Sequence, residues 1–195
     1  MNRRADISRT TNETDVRLSL SLEGTGAGSR TTGVGYFDHL LDTLARHGGL
    51  DLELQVEGDL ETGPHHTVED TGIALGRAID EALGERSGIA RFGHAVVPMD
   101  EARASAAIDV SGRPYLAFEA ALPPVAIGGF DSDLAEEFFR AVVGNAKLTL
   151  HLRVETGTNS HHMVEAAFKA FARALRDALA LDPGSSGVPS TKGLL

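Results

Sequence analysis

An internal repeat constrains this chain more than any other feature. Leu50-Asp51-Leu52-Glu53-Leu54-Gln55-Val56 returns as Leu148-Thr149-Leu150-His151-Leu152-Arg153-Val154, 98 positions later. His65-His66-Thr67-Val68-Glu69 returns as His161-His162-Met163-Val164-Glu165, 96 positions later, so a loop two residues shorter accounts for the change of offset. Each copy joins an alternating strand pattern to a His-His-x-x-Glu element that opens an amphipathic helix. An ordered match of that kind predicts duplicated halves packed with pseudo-twofold symmetry.

The periodicities around the repeat fill in the rest. Val16, Leu18, Leu20 and Leu22 alternate with polar residues, the period of a half-buried strand over 14–22. A weaker strand at 32–36 leads into a helix at 37–47, where Phe37, Leu40, Leu41 and Leu44 recur at helical spacing and Gly48-Gly49 stops it. After the strand at 50–56 comes a long helix from His65, with Val68, Ile73, Leu75, Ile79 and Leu83 on its apolar stripe. The second half predicts strands at 94–97, 102–110 and 115–121, a helix at 134–143, a strand at 148–154 and a helix at 161–181. The expected fold class is α+β: internally duplicated halves, 1–93 and 94–195, in one compact unit. Each half is a mostly antiparallel four-stranded sheet with two helices packed on one face.

Composition narrows the chemistry. Across 195 residues, 18 basic against 28 acidic side chains give a net charge of −10, which argues against a nucleic-acid partner, while 42% hydrophobic residues support a real core. With no cysteine there is no disulfide and no thiolate, so any metal must be held by imidazole and carboxylate. The polar N-terminus and the lack of an 18-residue apolar run predict a cytoplasmic protein, neither exported nor membrane-spanning.

On a helix, residues four apart share a face, so His65 with Glu69, and His161 with Glu165, each aim one nitrogen and one oxygen at a common point. His66 and His162 are rotated by about 100° from their neighbours, and so face a different ion. The symmetric solution gives His65, Glu69 and His162 to one divalent ion and His161, Glu165 and His66 to the other. The repeat offers a fourth ligand for each: His39 aligns with Glu137, so His39 completes the second site and Glu137 the first. A lone histidine near a helix N-terminus is ordinarily a cap or a surface residue, but two copies in register among 8 histidines favour ligation. His151 competes as a ligand, although strand alternation explains it equally well; His47 and His94 read as structural. The spacing is neither that of the zincins nor its inverse, so a peptidase gains no support.

Six segments in order carry a resemblance to a known family: Phe37-Asp38-His39-Leu40-Leu41, His65-His66-Thr67-Val68-Glu69-Asp70, Pro98-Met99-Asp100-Glu101-Ala102, Ser111-Gly112-Arg113-Pro114-Tyr115, the run His161 to Ala170, and Pro189-Ser190-Thr191-Lys192-Gly193. From about Glu13 to the C-terminus the chain resembles imidazoleglycerol-phosphate dehydratase, an enzyme of histidine biosynthesis. The resemblance implies the duplicated fold, two manganese ions per site, and trimers assembled into a 24-subunit shell with active sites between subunits. It implies the same eight ligands, with Glu137 standing where many members have His; Thr43, where some carry Gln, is given no role.

The reaction implied is removal of water from imidazoleglycerol phosphate to give imidazoleacetol phosphate. If the substrate's imidazole bridges the two ions, Lewis acidity favours the imidazolate, which can expel the C3 hydroxyl through a diazafulvene-like species that makes the C2 proton acidic. Glu165 is the first candidate for acid/base work and Glu13 the second. Arg91, Arg113, Lys169, Ser190 and Lys192 match the family's phosphate and substrate contacts, the last two in a C-terminal tail. Two rivals stay open: a dinuclear hydrolase, which would release phosphate, and a noncatalytic shell held together by metal.

Overall fold

The computed structural model describes residues 3–184, 187–193 and 195. Its first half runs β1 (Arg4–Thr10), β2 (Thr14–Ser21), β3 (Arg30–Thr31), α1 (Gly35–Gly48), β4 (Asp51–Gly58) and α2 (His65–Leu83). The second runs β5 (Phe92–Met99), β6 (Ala102–Asp109), β7 (Tyr115–Glu119), β8 (Ala126–Ile127), β9 (Phe130–Asp131), α3 (Leu134–Ala146), β10 (Thr149–Thr156) and α4 (Ser160–Leu179). The sheets are ordered β1-β2-β4-β3 and β5-β6-β10-β7. In both, the first three strands are antiparallel and the fourth lies parallel to its neighbour, so the duplication extends to topology.

Alternation decides which face of each sheet is covered. Leu52, Leu54 and Val56 of β4 pair with Leu20, Leu18 and Val16 of β2 and are buried together, while Glu53 and Gln55 point to solvent. The helices then cross between halves. α2 lies on β1 and β2, and α4 on β5 and β6, yet α1 packs on α4 and α3 on α2. Phe37 of α1, Phe138 of α3 and Phe168 of α4 are fully buried, with ring centroids 5.5 Å apart for the first pair and 5.1 Å for the second. The halves thus share one core, and each such ring contributes on the order of 2–3 kcal/mol by burial.

Four strands depart from expectation. β1 was not predicted, because an edge strand with only Ala5 fully buried and Ile7 partly so carries too little alternation to read. β3 occupies Arg30–Thr31 rather than 32–36: Thr32 donates from its backbone N–H (2.8 Å) and its hydroxyl (2.6 Å) to Asp38 Oδ1, which turns the chain into α1 early. The β8–β9 hairpin has two residues per strand, too short for any period to register.

Candidate active site

The N-terminal ends of α1 and α4 meet. The Asn159 side chain accepts from the His161 N–H at 3.0 Å and caps α4, so His161 sits in the first turn with Glu165 one turn on along the same face. His39, in the first turns of α1, reaches the same carboxylate: His39 Nε2 and His161 Nε2 each lie 3.1 Å from Glu165 Oε2. The second oxygen, Oε1, is 2.8 Å from Lys169 Nζ. Burial pushes the Glu165 carboxyl up, but the Lys169 ammonium and the His39 imidazole outweigh it and hold it below the usual carboxylate range. Tyr36 closes the floor. Its hydroxyl donates to the His161 carbonyl at 2.9 Å, its ring is 4.6 Å from the His161 ring, and burial together with the Glu165 charge keeps the phenol protonated.

Donor atoms of His39, His161 and Glu165 all fall within 4.8 Å of one another. Two imidazole nitrogens and one carboxylate oxygen suit a hard or borderline divalent ion. It is the one group of three such residues among the described residues. His65 Nε2 and Glu69 Oε2 are 3.8 Å apart and about half exposed. Glu137 comes within 3.9 Å of Arg140 and is not joined to that pair.

The second histidine of each motif turns away from the first. The rings of His65 and His66 are inclined at 86°, and those of His161 and His162 at 89°. His66 Nδ1 lies 3.0 Å from Asp59 Oδ2, and His162 Nδ1 lies 2.8 Å from Glu101 Oε2. Within one chain His66 does not reach the His161–Glu165 pair, nor His162 the His65–Glu69 pair. Glu13 Oε1 stands 3.7 Å from His66 Nε2, with its carboxylate half exposed. Glu101 is held down to about 2 by the His162 ring and by the Asn159 and Thr158 N–H groups.

The candidate phosphate residues divide. Lys169 stays with Glu165, whereas Arg91, Arg113, Ser190 and Lys192 lie where the C-terminal tail folds back. Arg91 pairs with Asp109 through Nε (2.7 Å) and Nη2 (3.2 Å), donates from Nη1 to the Pro189 carbonyl at 2.8 Å, and donates from its backbone N–H to the Ala178 carbonyl at 2.9 Å. The Lys192 N–H donates to Ser190 Oγ at 3.2 Å in a turn just beyond. Arg113 is exposed, its Nη1 3.2 Å from the Ser111 carbonyl. Almost the full length of α4 separates Ala178 from His161, roughly 25 Å at about 1.5 Å per residue. β5, eight residues long, separates Arg91 from the Glu101 turn, again roughly 26 Å at about 3.3 Å per residue. His94 and His151 lie on the exposed face of the second sheet, away from both ends.

A sequence model of the family described as imidazoleglycerol-phosphate dehydratase matches residues 32–175, with the His39, His65–Glu69 and His161–Glu165 segments inside the match. The chain belongs to the imidazoleglycerol-phosphate dehydratase family. It is an enzyme of that dehydratase family by close relationship along its whole length. The imidazoleglycerol-phosphate dehydratase of Symbiobacterium thermophilum is 58% identical over 189 residues, covering 97% of this chain and 91% of that one. That of Moorella thermoacetica is 54% identical, with 100% of both chains covered. Among solved structures, the Staphylococcus aureus dehydratase superposes with a TM-score of 0.84 at 41% identity, covering 92% of this chain and 99% of its own. The family fold and the internally duplicated α+β architecture therefore agree.

Sequence reasoning did not single out Tyr36, Asp59 or Glu101. Glu101 lay inside a quoted segment, and aligning the two hairpins, β1–β2 on β5–β6, would have matched it with Glu13. Tyr36 and Asp59 follow no period, and their roles depend on which helix end lies opposite.

Proposed function

We propose that the chain removes water from imidazoleglycerol phosphate to give imidazoleacetol phosphate, a step of histidine biosynthesis, with two divalent ions, manganese by family resemblance, at each site. The observation that carries this reading is the His39–His161–Glu165 cluster at the start of α4 in a chain of this family. His66 would complete that ion's set from a neighbouring copy, while His65, Glu69, His162 and Glu137 would hold the second ion. When bound, the ions supply Lewis acidity to the substrate's imidazole.

The side chains of the protein handle the protons. Glu165 is committed through both oxygens, to the two histidines and to Lys169. Glu13 has a half-exposed carboxylate whose contact with His66 Nε2 is a loose 3.7 Å, and it fits the base duty better. The C2–H and C3–O bonds break: the C2 proton passes to Glu13, the C3 hydroxyl leaves and takes up one proton, balanced by the one Glu13 receives, to become water, and the enol becomes the ketone as its hydroxyl proton moves to C3.

Arg91, Arg113, Ser190 and Lys192 hold the phosphate, which a chain of charge −10 would otherwise repel. A substrate with only three carbons between its imidazole and its phosphate cannot span the length of α4, so the phosphate residues of one protomer serve the histidines of another. This supports a homo-oligomer with sites between subunits, the 24-subunit shell of trimers implied by the resemblance. Among the described residues no helix is long and apolar enough to cross a membrane, and we assign the protein to the cytoplasm with no nucleic-acid partner. The test is a spectroscopic assay for imidazoleacetol phosphate, with and without chelator. Loss of turnover on chelation, restored by Mn2+, is expected; undiminished turnover, or release of inorganic phosphate, would overturn the reading.

A further inference from the structure

The two halves orient their second histidines from different places. Asp59 directly follows β4, and the residue directly following β10 is Gly157. Gly157 carries no carboxylate, and a Cβ there would lie 2.3 Å from Met163 Cγ, so a side chain at that position would have to displace Met163. Glu101 directly precedes β6, and its counterpart preceding β2 is Glu13. Glu101 contacts Nδ1 of its histidine, whereas Glu13 faces the opposite nitrogen, Nε2, at 3.7 Å. The duty of contacting Nδ1 therefore falls to the residue after the strand in one half and to the hairpin residue in the other.

Both carboxylates are themselves fixed. Thr62 Oγ1 donates to Asp59 Oδ2 at 3.0 Å, and the Asp59 N–H donates to the Glu13 carbonyl at 3.1 Å. Glu101 uses Oε1 to accept from the Thr158 and Asn159 N–H groups, at 3.1 and 2.8 Å, leaving Oε2 for His162. An ionised carboxylate only accepts, so Nδ1 must carry a proton, and in the neutral ring the lone pair is then on Nε2. An outer carboxylate that fixes the tautomer and aim of a ligand histidine is a recurring feature of metal sites.

We infer that Asp59 and Glu101 are positioning residues that hold His66 and His162 as Nδ1–H tautomers with Nε2 presented to a divalent ion, and that the use of Asp59 in the first half leaves Glu13 free for the substrate. The inference rests on the proposed reading of both histidines as ligands. The experiment separates the two. In the metal-free full-length chain labelled with 15N-histidine, at about pH 9 where the rings are neutral, His66 and His162 show the Nδ1–H pattern. Asp59→Ala moves His66 alone to the Nε2–H pattern. Mn2+ titration followed by electron paramagnetic resonance shows affinity weakened about 10–100-fold by Asp59→Ala. Asp59→Asn, whose amide oxygen still accepts from Nδ1–H, recovers part of the loss and serves if the alanine variant fails to fold. An Nε2–H ring at His66 or His162 in the unaltered chain, or Mn2+ affinity indifferent to Asp59→Ala and Asp59→Asn, overturns the inference. Nδ1–H rings in a chain that binds no Mn2+ overturn the metal reading and leave the orienting carboxylates standing.

Discussion

His39 Nε2 lies 3.1 Å from Glu165 Oε2, across 126 residues of sequence. The contact exists because α1 packs on α4 of the other half, so the cluster spans the duplication rather than sitting within either copy. Nothing in a single half could form it.

Replacing His161 or His39 by alanine removes one nitrogen from the three-donor set while leaving the core untouched, since both rings are partly exposed. Mn2+ affinity is expected to fall by at least about 100-fold, the upper range for losing even an outer-shell partner. Turnover falls with it, and circular dichroism of the metal-free protein stays unchanged. Isothermal titration with Mn2+ checks the first point.

Arg9, Thr14 and Asp70 tie the Glu13 hairpin to α2. Asp70 is buried and accepts from Arg9 Nη2 at 2.8 Å and Nε at 3.1 Å, and also from the Thr14 hydroxyl. Asp70→Ala leaves Arg9 largely enclosed without its partner and is expected to cost about 2–3 kcal/mol, at the low end for a broken buried pair because Arg9 keeps some solvent contact. Urea denaturation measures it. Thr14→Val should cost only about 1 kcal/mol.

Gly93 lets β5 approach the backbone of α4: a Cβ there would lie 2.0 Å from the Ala174 carbonyl oxygen and 2.6 Å from the Ala178 nitrogen. Gly93→Ala must push strand and helix apart, at about 2–3 kcal/mol, typical of overpacking. The displacement also disturbs Arg91, two residues earlier, so KM for the phosphorylated substrate is expected to rise along with the fall in melting temperature.

Asp51 holds the 24–27 loop by accepting from the Thr25 and Ala27 N–H groups, at 2.8 and 2.9 Å, and these bonds set its carboxyl below the ordinary 3.8. A depressed carboxylate stabilises the fold above its unfolded value, and the contribution is lost as pH falls through the lower folded value. Amide protection at Thr25 and Ala27 should therefore persist at neutral pH and through the ordinary carboxylate range, and collapse only at the lower pH where the folded carboxyl protonates. Asp51→Ala should remove it at every pH. Protection that survives in that variant would rule the account out.

Sites built between protomers predict complementation. Chains carrying His161→Ala and chains carrying Lys192→Ala are each expected to be nearly inactive. Co-assembled from equal amounts, they should regain roughly a quarter of wild-type activity, the fraction of sites drawing an intact histidine set and an intact tail from different copies. No recovery from such mixtures would place each site within one chain.

The sequence by itself determined the elements with a sustained period: β2, β4, α2 and α4 each repeat an inward-facing apolar residue often enough to mark a face. It also determined that His65 lies beside Glu69 and His161 beside Glu165, because i,i+4 proximity is a property of one helix and needs no partner. The repeat also grouped His39 with His161 and Glu165, and the structure brings the three together; the tertiary structure alone decided that Glu137 lies beside Arg140 and that Asp59 and Glu101 take up the second histidines. Those contacts depend on how helix ends and hairpin tips from distant segments are brought together. No local periodicity encodes that packing; it emerges only once the shared aromatic core has fixed α1 against α4 and α3 against α2.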